Sequence, residues 1–286
     1  MTKEMRKFKI IISIVLGITI LWTTFISAAF LYHNKAERDR REGEFFGLYV
    51  CGIPVRYRNA ADVLGDGTVV YDPSVNILTL NNAKLDYDGS AAIFSDKDLT
   101  IALNGENRIY CTGPEASAGI YASDYMLRKD ISFVGPGSLI VEGNGGENAS
   151  VSGIVADHIW AYSDVSILLS DVTEGSTDIE CSHLALIGEN DISIQVDSTG
   201  ESSGVYAWGE VYLLENTTLD VKTTNDGKNV RGIESTGSFI ASEGSNVNST
   251  SGEDGYGILC HSVFFDYGAT INTEIDAIDG IHQELN

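Results

Sequence analysis

The sequence predicts an all-β chain: a single-stranded parallel β-helix of about eight coils, preceded by one N-terminal transmembrane helix. Three observations carry that expectation. A short phrase returns every 23 to 34 residues, brief runs of alternating hydrophobicity lie between polar turns, and one uncharged apolar stretch sits near the N-terminus. The phrase is a β-branched residue followed two positions later by a small one. Ile93, Ile120, Ile154, Ile179, Val205, Ile233 and Ile258 lead in turn to Ser95, Ala122, Ala156, Cys181, Ala207, Ser235 and Cys260. Gly precedes the β-branched residue at 119, 153, 204, 232 and 257, and Gly280 with Ile281 reads as a partial eighth copy in which Gln283 breaks the small-residue rule. A period of this size, with loops absorbing its variation, marks a solenoid.

Each unit continues with a turn, a short alternating run, a second turn and another alternating run. Leu99, Ile101 and Leu103 are followed by Ile109, Leu184 and Leu186 by Ile192, Ile194 and Val196, and Val211 and Leu213 by Leu219 and Val221. Period-two patterning in pieces this short, bounded by Gly, Asn, Asp and Ser, signals strands. Three short strands per unit suit a parallel β-helix in which successive coils stack about 4.8 Å apart. Stacking explains the phrase: the Ile of one coil lands on that of the next and fills the core, and the position two residues on faces the same way but stays small where the coil bends. The position between them points outward and varies freely, as Phe94, Tyr121, Val155, Glu180, Tyr206, Glu234 and Leu259.

Residues 10–32 are 23 mostly apolar positions without charge, long enough to cross a hydrocarbon core of roughly 30 Å as a helix. Basic residues flank the stretch on both sides, so their count gives no orientation. A short basic tail before the first apolar segment reads as an uncleaved signal anchor with the N-terminus inside, although Ser27, Ala28 and Ala29 offer a small-residue cleavage site. The expected organisation is a cytoplasmic tail at 1–9, the anchor at 10–32, a charged linker at 33–46, a cap with the opening coil at 47–90, and β-helix repeats at 91–286, outside the cytoplasm. The 286 residues carry 18 Lys and Arg against 41 Asp and Glu, and beyond residue 41 the ratio falls to ten against 38. Such a chain has the wrong sign for phosphate, which excludes nucleic acid as a partner. Cys181 and Cys260 occupy equivalent corners three coils apart, beyond disulfide reach, and read as small core fillers. Cys51 and Cys111 are both placed near the N-terminal end, and a bridge between them stays open.

The stretch "GDGTVVYDPSVNILTLNNAKL" followed by "AIFSDKDLTIALNGENRI" resembles repeats of exported clostridial-type proteins in the pectate-lyase-like β-helix group, some described as carbohydrate-binding domain proteins. The resemblance covers roughly residues 47 to 285. It implies right-handed winding and, for some members, calcium-assisted binding of acidic or cellulosic polysaccharide.

Lyase chemistry on such a fold needs a basic residue to take the proton beside a uronate carboxylate. The few basic residues are scattered, and "DHIW" at 157–160 has no basic partner at a recognisable spacing, so His158 reads as a core-adjacent or surface residue. Hydrolysis needs paired carboxylates across a groove, but with 38 acids, pairing alone carries no information. The expectation is therefore a non-enzymatic module that binds polysaccharide. Its candidate sugar-stacking residues are Phe94, Tyr121 and Tyr206 on the outward row, with Trp160 and Trp208 in other registers. Calcium is the candidate ion, with Asp96, Asp98, Asp124 and Asp157 near one corner as its ligands. Against that stands the use of Asp at corners for Asx turns. The rival class is a structural or adhesive surface protein that contacts other proteins, and a weaker third is a lyase or hydrolase with an atypical site.

Overall fold

The structure is a computed structural model that describes residues 43–112, 117–124, 126–144, 150–172, 176–198, 202–224, 231–251, 256–273, 275–277 and 281–284. The expected anchor at residues 10–32 and most of its flanks lie outside the described residues. Among those described, no helix is long and apolar enough to cross a membrane. The chain divides into two units, Met1–Glu44 with Arg56–Arg58, and Phe45–Val55 with Asn59–Asn286. In the first, Arg56 Nη1 donates to the Gly43 carbonyl at 2.8 Å and the Tyr57 amide donates to the Glu44 carbonyl. The second is the solenoid.

Its described residues form strands and turns only, wound so that each coil contributes one strand to each of three sheets. One coil runs Ser117–Ala122 in sheet A, Ile131–Val134 in sheet B and Ser138–Asn144 in sheet C. Successive coils pair in parallel, and the recurring phrase sets the register. Ile93 pairs with Ile120, then Ile154, Ile179, Val205, Ile233 and Ile258 follow in one unbroken ladder, all 0–2% exposed. The winding makes six full turns from Ile93 to Ile258, somewhat short of the expectation.

The ladder ends differently from the sequence reading. Ile258 pairs with Ile275 and Cys260 with Ala277, so the last sheet A strand is Ile275–Ala277, not a copy at Gly280. Ile281 instead pairs with Val263 in sheet B. The pairing of an Ile and, two residues on, a small residue recurs at 275 and 277 without the preceding Gly, since position 274 is Glu.

Sheets B and C supply the other two walls of the core. Leu99, Ile131, Ile159, Leu184, Val211, Phe239 and Val263 stack along sheet B. Leu139, Val165, Ile192, Leu219 and Val247 stack along sheet C. Where the chain turns from B to C the inward position is polar: Ser163, Asn190, Thr217 and Ser245 are buried. Each donates to a carbonyl of the preceding coil, Ser163 to Gly135, Asn190 to Ala161, Thr217 to Gly188 and Ser245 to Leu213. These bonds satisfy backbone oxygens at a bend where strand pairing lapses. At the N-terminal end two antiparallel strands complete the sheets: Phe45–Val50 pairs with Ala91–Ser95, and Val69–Asp72 with Ile77–Asn81. No disulfide joins Cys51, Cys111, Cys181 or Cys260 among the described residues, and burial pushes the thiols of Cys51 and Cys111 up to about 11 and about 12, away from reactivity.

The Gly of the phrase has a steric cause. A Cβ at Gly153 would lie 2.5 Å from Ile167 Cγ2, and one at Gly204 would lie 2.5 Å from Val221 Cγ1, because this corner of sheet A presses on the side chains of sheet C. Ala92 and Asp178 hold the position in the other two units. Asp178 is fully buried, and among the described residues neither carboxylate oxygen has a partner. Desolvation alone pushes its carboxyl well above the ordinary value. Since the folded-state value is raised, Asp178 destabilises the fold progressively as pH rises from near 4 toward that value. Replacing Asp178 with Ala is expected to stabilise the protein at pH 7 by about 1–3 kcal/mol, the cost of an unpartnered buried polar group. Chemical denaturation at several pH values checks this; the gain shrinks below pH 4.

Candidate functional site

The stacking that builds the core also lines up the outer face of sheet A. Phe94 and Tyr121 are register partners on adjacent coils, and their rings stack with centroids 6.1 Å apart and planes 14° from parallel. Tyr49, from the antiparallel N-terminal strand, pairs with Phe94 and meets its ring edge-on at 6.1 Å, and Phe45 leans on Tyr49. The result is an aromatic rib with a cleft on each side. One, of about 480 Å³, lies toward Phe45, Tyr49, Asp96 and Asp124. The other, of about 450 Å³, is lined by Phe94, Tyr121, Ser117, Val155, Arg128 and Glu180. Ser117 is buried in its wall, and among the described residues its hydroxyl has no partner.

Arg128 closes the far end of that second cleft. It sits in the longest interval between copies of the phrase, where an antiparallel bridge between Ser123 and Arg128 folds the insert back. Its Nη2 donates to Glu180 Oε1 at 2.7 Å, and its guanidinium carbon lies 4.1 Å from the centroid of the Trp208 ring. Val155, on the row expected to be open, is only 3% exposed and lines the same cleft as Arg128 and Glu180, which corrects the reading of that row as unconstrained. Tyr206 meets Trp208 edge-on at 5.3 Å. The outward aromatics thus fall into two groups, Phe94 with Tyr121 and Tyr206 with Trp208.

Trp160 stands on a different face. It belongs to sheet B, stacks on His158 at 5.4 Å, and lines a small slot of about 190 Å³ with His158, His183, Ala185 and Tyr212. Register places Ala185 between Trp160 and Tyr212, so the slot exists because a small residue separates two large ones.

Of the four aspartates of the expected calcium site, Asp96, Asp98 and Asp124 all act on Lys129, whose ammonium pKa they raise, Asp124 most of all through its hydrogen bond. Asp124 accepts the amides of Met126 and Leu127 and a 2.6 Å bond from Lys129 Nζ, which together hold its carboxyl down at about 2. Asp98 accepts the Asp130 amide, and Asp96 packs against Gly47. Asp157 is the member that enters a cluster, with Asp130 and His158. Asp130 and Arg128 were not singled out from sequence. The signal for both was the 34-residue interval from Ile120 to Ile154, where "LRKD" places two basic residues side by side.

No family model, curated protein or solved structure matches this chain.

Removing Arg128 as Ala is expected to uncover Val155, free Glu180 and shift Trp208 emission to longer wavelength, with a stability loss of about 1 kcal/mol. Fluorescence in a background with Trp22 and Trp160 replaced by Phe checks it.

Proposed function

We propose that this chain is a non-catalytic binding module, a right-handed β-helix held outside the cytoplasm by a membrane anchor at residues 10–32, whose sheet A face takes polysaccharide. The observation that carries the proposal is the Phe94 and Tyr121 rib between two clefts of ligand size. Flat aromatic faces receive the apolar C–H face of a sugar ring, and the Ser117 hydroxyl, without a partner among the described residues, and the Arg128 and Glu180 pair offer donors and acceptors beside it. The resemblance to carbohydrate-binding β-helix repeats supports the same reading. Right-handed winding accords with the strong preference of crossovers between parallel strands of one sheet. Arg128 and Glu180 are engaged with each other, which favours recognition over proton transfer in this cleft.

A second reading, contact with another protein, is favoured by the tip of the insert, where Met126 and Leu127 are 90% and 67% exposed. It predicts partner capture that Met126→Ser with Leu127→Ser abolishes.

Retention of the full chain on a panel of immobilised glycans, with calcium and with chelator, tests the proposal. Tyr121→Ala and Phe94→Ala are each expected to weaken retention about fivefold to tenfold, the loss of one stacked ring at about 1 kcal/mol. An acidic glycan is expected to need calcium against the negative field of the chain, and a neutral one is not. Retention unchanged in both variants overturns the reading.

A further inference from the structure

The corner where sheet A passes into sheet B carries a second arrangement, independent of the clefts. Successive coils reach this bend with Asp98, Asp130, Asp157 with His158, and His183. Because the coils stack at about 4.8 Å, side chains at matching positions come within bonding distance of one another. One donor atom each from Asp130, Asp157 and His158 lies within 4.8 Å of the other two. His158 Nδ1 is 2.8 Å from Asp130 Oδ1 and 3.6 Å from Asp157 Oδ2.

Each of these groups is held in place by a neighbour. The His158 ring lies between Trp160 and His183, parallel to within 15° of the one and 8° of the other. Asp130 Oδ1 also accepts the backbone amide of His158. Asp157 uses its Oδ1 to accept the Ser182 hydroxyl, which leaves Oδ2 facing the imidazole. His183 is anchored in turn by its Nε2 at 2.6 Å from Glu210. Supporting contacts of this kind are what orient the ligands of metal sites.

The charge balance points the same way. Among the described residues, neither Asp130 nor Asp157 forms an ion pair with Lys or Arg. The cations nearest in sequence are engaged elsewhere, Lys129 with Asp124 and Arg128 with Glu180. Two carboxylates therefore converge on one imidazole without a permanent positive charge between them.

We propose that Asp130, Asp157 and His158 form a site for one divalent cation of the zinc type. The donor set decides the class of metal: calcium takes oxygen ligands, whereas one imidazole nitrogen with two carboxylates suits zinc and its borderline neighbours. Ligand atoms about 2.0–2.1 Å from a tetrahedral zinc stand about 3.3 Å from each other, and the two separations from Nδ1 bracket that value. On binding, Nδ1 gives its lone pair to the metal and the imidazole keeps its proton on Nε2. All three side chains are about one-third exposed, which leaves an entry path and room for water at the remaining position. His183 acts as a positioning residue through the stack.

The test is titration of the full chain, stripped with chelator, with Zn²⁺ against a chromophoric competitor, in the presence of excess Ca²⁺ and without glycan. The expected result is one equivalent bound in competition with the indicator, undisturbed by Ca²⁺. Weakening by at least about tenfold is expected in His158→Gln and in Asp157→Asn, and none in His261→Gln, which removes a surface imidazole elsewhere. Circular dichroism establishes that each variant is folded, and Co²⁺ in place of Zn²⁺ gives a visible spectrum that His158→Gln alters. Binding unaffected by His158→Gln, or displaced by Ca²⁺, overturns the proposal. Because no glycan is present, either outcome leaves the sugar-binding reading to its own test.

Discussion

Everything in this protein depends on the closeness with which the corner of sheet A meets sheet C. At five coils a single Cβ would collide with core side chains such as Ile167 or Val221, so the backbone itself is part of the packing surface. That contact fixes the start of each coil, and the Ile that follows must then stack on the Ile below. Once this one position is locked, parallel pairing carries the register through the other two sheets. The outer rows of aromatics, acids and imidazoles are consequences of that inner alignment. Their residues are related by stacking across coils and not by nearness in sequence.

This explains which parts were legible. Ile93 through Ile258 could be aligned by eye because an inward ladder tolerates little substitution, and the structure pairs them one to one. The final coil is not legible from Gly280, because the ladder continues through Ile275, which packs against the core, and needs Gly only where sheet C presses in. Phe94 and Tyr121 were legible as neighbours since their row follows from the ladder. The cleft that Val155 shares with Arg128 was not, because Arg128 comes from an insert whose direction no period fixes. The same limit hid the cluster at Asp130: its members come from two coils and lie 27 and 28 residues apart, recognisable only once the coils are stacked.

The electrostatics of the outer surface follow from scarcity. With ten basic residues among the 245 beyond residue 41, each well-placed cation has a visible assignment. Lys129 holds a turn through Asp124, and Arg128 joins Glu180 to the Trp208 ring. Other acids pair with Arg108 or Arg231, cap backbone amides, as Asp98 does, or face imidazole, as Asp130 and Asp157 do. The buried Asp178 belongs to none of these classes and stands as an unrelieved cost in the interior.

The polar staircase of Ser163, Asn190, Thr217 and Ser245 has a mechanical meaning. Each bond joins a coil to the one before it and to no other, so a load along the axis passes through every inter-coil seam in series and the weakest seam yields first. The solenoid is thus a series of separable springs. Stretched, it would give way coil by coil, and each coil of about 26 residues would release roughly 90 Å of chain. A molecule built in this way extends by steps and keeps its remaining coils, with whatever they hold, intact.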